Sequence, residues 1–201
     1  MGYKLGTVDG KAVLIKENSY YDIATLSNGA ISSDSVEALK FQSELSELFE
    51  SLDEKSATGN LSDVELGNPV PNSPNCYAVG LNYRKHAEES GMDIPEVPMI
   101  FTKHTSCFVG PKANVEMRSD YVDWEVELVA VIGKDGKNIP KENALDHVAG
   151  LCVGQDISDR PAQFATTPAM FNLGKSFDTY GPMGPALSLI HISEPTRQSS
   201  I

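Results

Sequence analysis

The alternation of apolar and polar residues is sharpest between Tyr121 and Gly133, in the segment YVDWEVELVAVIG. Its Val, Ile, Trp and Tyr content predicts a β-strand, whose side chains point alternately to two faces. The acidic face holds Asp123, Glu125, Glu127, Val129 and Val131, and the apolar face holds Trp124, Val126, Leu128, Ala130 and Ile132. A solvated face of an antiparallel strand explains three successive acids, but so does a hard divalent cation that compensates them.

The same pattern along the rest of the chain predicts many strands and few long helices. Residues 3–26 are predicted to form short strands with a hairpin turn at Asp9-Gly10, and residues 32–55 one amphipathic helix capped by Ser33 or Asp34. Further strands are predicted at 76–80, 98–103, 106–109, 122–133, 148–155 and 183–190, and short helices at 83–90, 141–146 and 161–165. The fold class is therefore mixed α+β and β-rich, rather than a doubly wound α/β sheet.

A change of composition divides the chain near its first third. The segment GNPVPNSPN, residues 67–75, contains three prolines and no helix or strand pattern. We therefore predict a small α+β N-terminal domain at residues 1–66, a Pro-rich linker at 67–75 and a β-rich domain at 76–186.

Charge and cysteine content limit the partners and the compartment. The formal net charge of −12 argues against nucleic acid and anionic membrane surfaces as partners. No stretch approaches the length of a transmembrane helix, and the first residues lack the apolar core of a signal peptide. Three widely spaced cysteines in apolar surroundings are typical of buried free thiols, so we predict a cytoplasmic protein.

The candidate chemistry lies in four short motifs, VGLNYRKHAEE, VDWEVELVAVIG, GQDISDR and GKSF. In this order and spacing they resemble the catalytic domain of the fumarylacetoacetate hydrolase family, from about Tyr77 to Pro185. The resemblance implies an irregular mixed β-sandwich roll of the fumarylacetoacetase type, incomplete here, over residues 76–186. It also implies a divalent cation, Mg²⁺ or else Mn²⁺ or Ca²⁺, and the ligands would be Glu125, Glu127 and Asp156.

The resemblance also implies roles for residues around that cation. His86 and Glu89 are three residues apart, so a helical turn places them on one face, where the carboxylate would orient the imidazole as a base. On its own this segment is more typical of an exposed charged helix. Lys175 would act on the developing oxyanion. The substrate-binding residues implied are Arg160, Gln163, Lys103 and Tyr83, and Lys103 equally fits a solvated surface lysine.

The implied activity is hydrolysis of a C–C bond in a 3-acylpyruvate or a similar 1,3-dicarbonyl 2-oxo acid. Isomerisation, tautomerisation or decarboxylation of dicarboxylic 2-oxo acids could use the same enolate-stabilising site. Fumarylacetoacetase itself supplies an additional Asp ligand before its catalytic His, and no acid occurs between Tyr77 and His86 here. The chain therefore resembles the smaller bacterial-type members, and the resemblance implies a homodimer. A non-enzymatic acidic interaction module is the alternative of another class.

The last segment, LSLIHISEPTRQSSI at residues 187–201, departs from the pattern before it. It looks like the translation of a transposase-end adapter used in preparing sequencing libraries, and we exclude it from any site. We accordingly expect the natural protein to be longer than this chain. We also expect the 201-residue chain alone to be poorly folded or inactive, because unpaired sheet edges and an incomplete core would leave it marginally stable.

Overall fold

Strands make up most of the regular structure of the protein. The computed structural model describes residues 3–89, 91 and 93–189, except for the side chain of His86. Its strands are β1 (Tyr3–Val8), β2 (Lys11–Lys16), β3 (Ser19–Asp22), β4 (Gly59–Asn60), β5 (Cys76–Gly80), β6 (Met99–Lys103), β7 (Phe108–Val109), β8 (Val122–Asp123), β9 (Val126–Ile132), β10 (Val148–Gln155), β11 (Ser158–Asp159) and β12 (Gly181–Leu189).

The helices are short. The α-helices are α1 (Ile23–Leu26), α2 (Ser35–Ala38), α3 (Gln42–Ser51), α4 (Arg84–Glu89), α5 (Arg160–Gln163) and α6 (Phe171–Gly174). Stretches of 3-10 helix cover Leu39–Phe41, Glu54–Ser56, Leu61–Asp63, Thr105–Cys107 and Lys141–His147. None of the helices in this part of the chain has the length and apolar composition needed to cross a membrane.

One eight-stranded sheet organises the molecule. Seven of its strands follow the order β4-β3-β2-β1-β12-β10-β9 with antiparallel neighbours, and β7 runs parallel to β12. Two small antiparallel sheets, β5 with β6 and β8 with β11, complete the strand pairing. The structure confirms the predicted mixed α+β, strand-rich fold, and its sheets are not closed into a barrel.

The predicted hairpin at Asp9-Gly10 is confirmed. Both residues have positive φ, 51° for Asp9 and 75° for Gly10, and they join β1 to β2 with Val8 opposite Lys11. Two consecutive residues in this conformation form the tight turn whose twist matches that of the flanking strands. Glycine in the second position adopts it without the steric cost of a β-carbon.

The single helix predicted over residues 32–55 is wrong in its extent. Asp34 does cap its start, because its Oδ1 accepts the backbone N–H of Glu37 at 3.0 Å. The chain then leaves helical geometry at Phe41, with φ −111° and ψ 44°, so that α2 and α3 are separate. Leu39 and Leu45 are both buried, although six residues of a straight helix would point them about 120° apart. The interruption lets both side chains enter the core.

The main core lies between the large sheet and helices α1 to α3. Leu5, Leu14 and Leu45 are fully buried in it. A second cluster on the opposite face of β1 and β2 packs against the segment 61–66. The three cysteines are free thiols, as predicted, and Cys107 and Cys152 are buried.

The large sheet contains strands from both sides of the predicted domain boundary. Strand β1 pairs with β12, with Leu5 opposite Leu187, so the N-terminal strands and the later strands share one sheet. The linker at residues 67–75 lies between these two contributions in the sequence, and the division into domains stays a prediction. Leu187 to Leu189, the start of the predicted tail, are the last residues of β12, and residues 190–201 lie outside the described residues.

The strand predicted over residues 122–133 is two strands. Residues 122–123 form β8 and pair with β11, whereas residues 126–132 form β9 and pair with β10. The change of partner occurs at Glu125, whose carbonyl oxygen accepts the backbone N–H of Asp156 at 2.8 Å. The face alternation is as predicted: the exposed residues include Trp124, Val126, Leu128 and Ile132, while Glu125 and Glu127 are half-buried.

Substitution of Gly150 by alanine tests the close approach of β10 to β12. A β-carbon at Gly150 would meet the carbonyl oxygen of Ser188 and, at 2.9 Å, Cγ of Leu187. We expect Gly150→Ala to lower the free energy of unfolding by about 1–3 kcal/mol, because backbone must move. Ser188→Ala, at the exposed neighbour, should change it by less than about 0.5 kcal/mol. Equal values for Gly150→Ala and the wild type in urea unfolding would contradict the packing.

Candidate active site

A cleft of about 1440 Å³ lies between the small sheet of β5 and β6 and the face formed by β9, β10 and β12. Seven of the ten site residues selected from the sequence line it, together with Asp123. The lining residues are Asp123 from β8, Glu125 between β8 and β9, Glu127 from β9, Asp156 directly after β10, Arg160 and Gln163 from α5, Lys175 directly after α6 and Lys103 from β6. The structure thus brings together residues that lie up to 72 positions apart in the sequence, the separation between Lys103 and Lys175.

Asp156 is the buried centre of this cluster, with 5% of its surface exposed. Its Oδ1 accepts from Nζ of Lys103 at 2.7 Å, and its Oδ2 accepts from Nζ of Lys175 at 2.9 Å. The Lys103 ammonium also donates to the backbone carbonyl of Lys175. A buried charge is tolerated when it is paired and hydrogen-bonded, and both lysines meet this condition. Lys103 is therefore buried beside Asp156 and is not a solvated surface lysine.

The ammonium group of Lys175 has all of its protons engaged. It donates to Glu125 Oε2 at 2.9 Å, to Asp156 Oδ2 at 2.9 Å and to the hydroxyl of Ser158 at 2.7 Å. The ring of Phe101 lies 5.5 Å from the same nitrogen. These contacts fix the ammonium at the meeting point of two carboxylates in the cleft.

Arg160 forms ion pairs with Asp123, the exposed acid of β8, and with Glu125, the half-buried acid two residues later. Its Nη2 lies 2.7 Å from Asp123 Oδ2 and 2.7 Å from Glu125 Oε1, and its Nη1 donates to Gln163 Oε1 at 2.8 Å. The orientation comes from α5, where the Asp159 side chain accepts the N–H of Ala162 at the helix start. Asp123, which is not among the predicted metal ligands, is a half-exposed partner of Arg160.

These cations change the acidity of the carboxylates that they contact. Burial alone would raise the pKa of Glu125, but the Lys175 ammonium and the Arg160 guanidinium outweigh it and hold that pKa below its usual value. The hydrogen bond from Arg160 likewise lowers the pKa of Asp123. Both carboxylates are therefore held in the ionised form at neutral pH.

Glu127 has the opposite shift. Burial raises its pKa; a hydrogen bond from Asn82 opposes the rise, and the negative charges of Asp156 and Glu125 add to it. Two glutamates on one strand face thus have pKa values that move apart, because among the described side chains Arg160 and Lys175 contact Glu125 directly and no cation contacts Glu127. Such a divergence marks sites that handle protons or cations.

The three predicted metal ligands supply suitable atoms for a divalent cation. Glu125 and Asp156 converge, since each places an oxygen 2.9 Å from the same Lys175 nitrogen, and Glu127 shares their electrostatic environment. Among the described residues, no three His, Cys, Asp or Glu side chains stand close enough to enclose a metal ion. The donor set nevertheless fits a hard cation such as Mg²⁺ or Mn²⁺, which prefers carboxylate oxygens and keeps positions for water or substrate.

The predicted catalytic pair, His86 and Glu89, lies on α4, which follows β5 in the chain. His86 belongs to α4, but its side chain lies outside the described residues, and Glu89 is exposed at the last position of the helix. Their mutual geometry stays a prediction. Tyr83, predicted to bind substrate, has its hydroxyl 3.4 Å from the backbone nitrogen of Leu128 on β9.

Two polar residues of the cluster were not selected from the sequence. Ser158 is fully buried, donates to the carbonyl of Asp156 at 2.9 Å and accepts from Lys175. Asn82 lines the cleft and opposes the rise in the pKa of Glu127. The signal for Ser158 was its position two residues after Asp156, which in extended chain places both side chains on one side. Asn82 belongs to the motif VGLNYRKHAEE, but the sequence assigned no role to it, because Glu127 is 45 residues away.

Comparison with known proteins establishes the family. A sequence model of the fumarylacetoacetate (FAA) hydrolase C-terminal domain matches residues 75–199, which is more than half of the chain. The protein therefore belongs to the fumarylacetoacetate hydrolase family. The match also takes in residues 187–199, whose assignment to an adapter-derived tail stays a prediction.

Individual relatives agree with this assignment. The chain is 43% identical to the mitochondrial oxaloacetate tautomerase fahd2 of Xenopus laevis over 128 residues, 63% of this chain and 40% of that protein. A crystal structure from Mycobacterium smegmatis, assigned as an HpcE protein, superposes with a TM-score of 0.84 at 37% identity, covering 93% of this chain and 66% of that one. The chain thus spans about 40% of the length of this curated relative.

The fold also matches that of an enzyme with a bound metal. The structure of maleylpyruvate hydrolase from Sphingobium sp. SYK-6, in complex with manganese(II) and pyruvate, superposes with a TM-score of 0.75 at 22% identity. The alignment covers 96% of this chain and 69% of that one. At this identity the likeness shows the shared fold.

Removal of a buried lysine tests the charge cluster against a surface pair of the same geometry. Lys103–Asp156 and Lys40–Glu37 are both 2.7 Å apart, but the first is buried and the second is largely exposed. We expect Lys103→Met to lower the free energy of unfolding by about 3–5 kcal/mol, because Asp156 loses a buried partner. Lys40→Met should change it very little, because solvent screens an exposed ion pair. Equal losses for both variants in urea unfolding would contradict this account.

The opposite pKa shifts of the two glutamates predict opposite effects of their amides on stability. The lowered pKa of Glu125 means that its contribution is present above its usual pKa of 4.5 and is lost as the pH falls through the lowered value. The raised pKa of Glu127 means that its contribution is present below 4.5 and is lost as the pH rises through the raised value.

At pH 7 in metal-free buffer, Glu125→Gln should therefore lower the free energy of unfolding and Glu127→Gln should raise it. The difference from wild type should shrink for both variants in acid. Thermal or urea unfolding across pH 3 to 7 measures this. Shifts of the same sign at pH 7 would show that the two environments are alike.

Proposed function

We propose that the protein is an enzyme that enolises a small dicarboxylic 2-oxo acid, with keto–enol tautomerisation of an oxaloacetate-like substrate as its reaction. The observation that carries this proposal is the Lys175 ammonium, held in the cleft by Glu125, Asp156 and Ser158. A fixed positive charge at this place stabilises negative charge that develops on a substrate oxygen. The 43% identity to a tautomerase of oxaloacetate supports the substrate class.

The residues around Lys175 suit a doubly charged acid. Arg160 and Gln163 lie on one side of α5 and can present a planar guanidinium and an amide to a substrate carboxylate. Lys103 lies on the other side of Asp156 and adds a second buried cation. These three cations nearly balance the four carboxylates of the site, so the proposed divalent cation would make the site attractive to an anion in a chain with a net charge of −12.

Glu125, Glu127 and Asp156 would hold a divalent cation in this proposal. When bound, it acts as a Lewis acid on the 2-oxo carbonyl and favours the enolate. Tautomerisation then moves one proton between C3 and the C2 oxygen and consumes no water. His86, with Glu89 to orient it, is the proposed group that carries this proton.

C–C bond hydrolysis of a 3-acylpyruvate is the second candidate, favoured by membership of a hydrolase-named family. Here His86 would deprotonate a water molecule, and the hydroxide would add to the distal carbonyl. Lys175 and Gln163 would stabilise the oxyanion, the C–C bond would break, and the pyruvate enolate would be protonated. Isomerisation and decarboxylation of dicarboxylic 2-oxo acids would share the enolate step without the water.

The remaining partner predictions belong to the same proposal. We propose a homodimer, supported by the exposed apolar face of β9, where Val126, Leu128 and Ile132 are each more than half exposed. A monomeric mass in solution for the complete protein would contradict it. The cytoplasmic location stays our prediction, since the tautomerase relative is named as mitochondrial. Nucleic acid and membranes remain poor partners for so acidic a chain.

The reaction is tested by supplying enol-oxaloacetate and a 3-acylpyruvate separately, with Mg²⁺ or Mn²⁺. We expect faster loss of the enol absorbance of oxaloacetate without release of carbon dioxide, and no pyruvate from the acylpyruvate. Pyruvate release from the acylpyruvate would instead support the second candidate. Absence of turnover on both substrates, in the complete protein, would contradict the enzyme proposal and favour the interaction module.

The metal assignment has its own control within this experiment. Saturating Mg²⁺, at about a hundred times its dissociation constant, should raise the melting temperature by roughly 5–10 °C. Glu127→Ala should abolish that rise and lower turnover by about a hundredfold. Glu142→Ala, at an exposed glutamate, should change neither. Full turnover and a full Mg²⁺ response in Glu127→Ala would show that Glu127 is not a ligand.

A further inference from the structure

The turn between β5 and α4 has an unusual backbone. Leu81, directly after β5, has φ 52°, in the left-handed region that a residue with a branched side chain rarely adopts. Such a conformation persists where the surrounding contacts determine it, and it is frequent at functional sites. Here the next two residues, Asn82 and Tyr83, interact with β9.

Tyr83 contacts β9 directly, and Asn82 acts on the neighbouring residue of that strand. The Tyr83 hydroxyl accepts the backbone N–H of Leu128 at 3.4 Å, and the Asn82 side chain opposes the rise in the pKa of Glu127. Strand β9 lies at the end of the large sheet, and its only strand neighbour among the described residues is β10. The Tyr83 hydroxyl therefore satisfies an amide that the sheet leaves without a strand partner.

Tyr83 also anchors the helix that follows it. Its carbonyl oxygen accepts the backbone N–H of Ala87 at 3.1 Å, in the first turn of α4, and Ala87 is fully buried. One residue thus connects α4 to β9 through its backbone on one side and its hydroxyl on the other. The two connected elements carry His86 and Glu127.

We propose that Tyr83 and Asn82 are positioning residues that hold α4 in register with β9. They would set the separation between the candidate base His86 and the carboxylate of Glu127, so the inference rests on the proposed function of that site. Tyr83 then acts through its hydrogen bond to Leu128 rather than by contact with substrate, which differs from the role that the sequence predicts.

Hydrogen exchange tests this arrangement without any assay of activity. Tyr83→Phe removes the hydroxyl and keeps the ring. We expect exchange of the Leu128 amide, and of the α4 amides, to become about 3- to 10-fold faster, the effect of losing one net hydrogen bond. Tyr20→Phe is the matched control, because Tyr20 lies on β3, outside the lining of the cleft, and should leave these amides unchanged. Asn82→Ala, the second variant, should accelerate the same amides.

The pattern of exchange decides the outcome. A rise confined to α4 and β9 supports the proposal. An unchanged exchange rate at Leu128 would overturn it, because the hydroxyl of Tyr83 would then not protect that amide. An equal rise in the exchange rates of the distant strands β1 and β2 would also overturn it, because that result indicates general destabilisation. These results do not depend on the reaction, so failure of the proposed function leaves the exchange test valid.

Kinetics of the complete protein separate positioning from substrate binding. If Tyr83 positions α4, Tyr83→Phe should lower kcat by about 3- to 10-fold with KM unchanged, because binding groups stay in place. A raised KM with unchanged kcat would overturn the proposal and return Tyr83 to a substrate contact. Tyr20→Phe, outside the cleft lining, should keep both constants at the wild-type value.

Discussion

The structure around the cleft depends on the pairing of Asp156 with two buried lysines. A buried carboxylate with one lysine on each oxygen requires those lysines to arrive from opposite directions, and Lys103 and Lys175 come from β6 and the end of α6. Their positions in turn place the small sheet of β5 and β6 opposite the large sheet. Glu125 and Ser158 complete the surroundings of Lys175, so charge compensation fixes where five separate segments meet.

Local patterns in the sequence predicted much of the fold. The Asp9-Gly10 turn and the cap at Asp34 followed from backbone preferences that act within a few residues, and the structure has both. The strands at 76–80 and 148–155 also have the predicted bounds. A short segment is enough to predict such a strand, because the segment itself contains the alternating or continuous run of apolar residues. For the site, the second, third and fourth motifs contain selected residues that line one cleft, whereas the arrangement of His86 and Glu89 from the first motif stays a prediction.

Non-local contacts explain what the sequence did not predict. Strand alternation showed that Glu125 faces its acidic neighbours, but its compensating charges are Arg160 and Lys175, which lie 35 and 50 residues away. The break between β8 and β9 follows from a backbone hydrogen bond to Asp156, and the break at Phe41 from the need to bury two leucines. Each depends on tertiary packing that overrides a continuous local pattern.

The position of β12 in the large sheet has a consequence for how the protein forms. The last strand of the described chain, β12, lies between β1 and β10. Strand β1 pairs with β2 on one side, and its pairing partner on the other side is contributed only near residue 187. During synthesis the β1–β2 hairpin can form early, but its open side must wait until nearly the whole segment has left the ribosome. Closing so long a loop makes late assembly slow, and until then a largely apolar strand edge stays available to other chains.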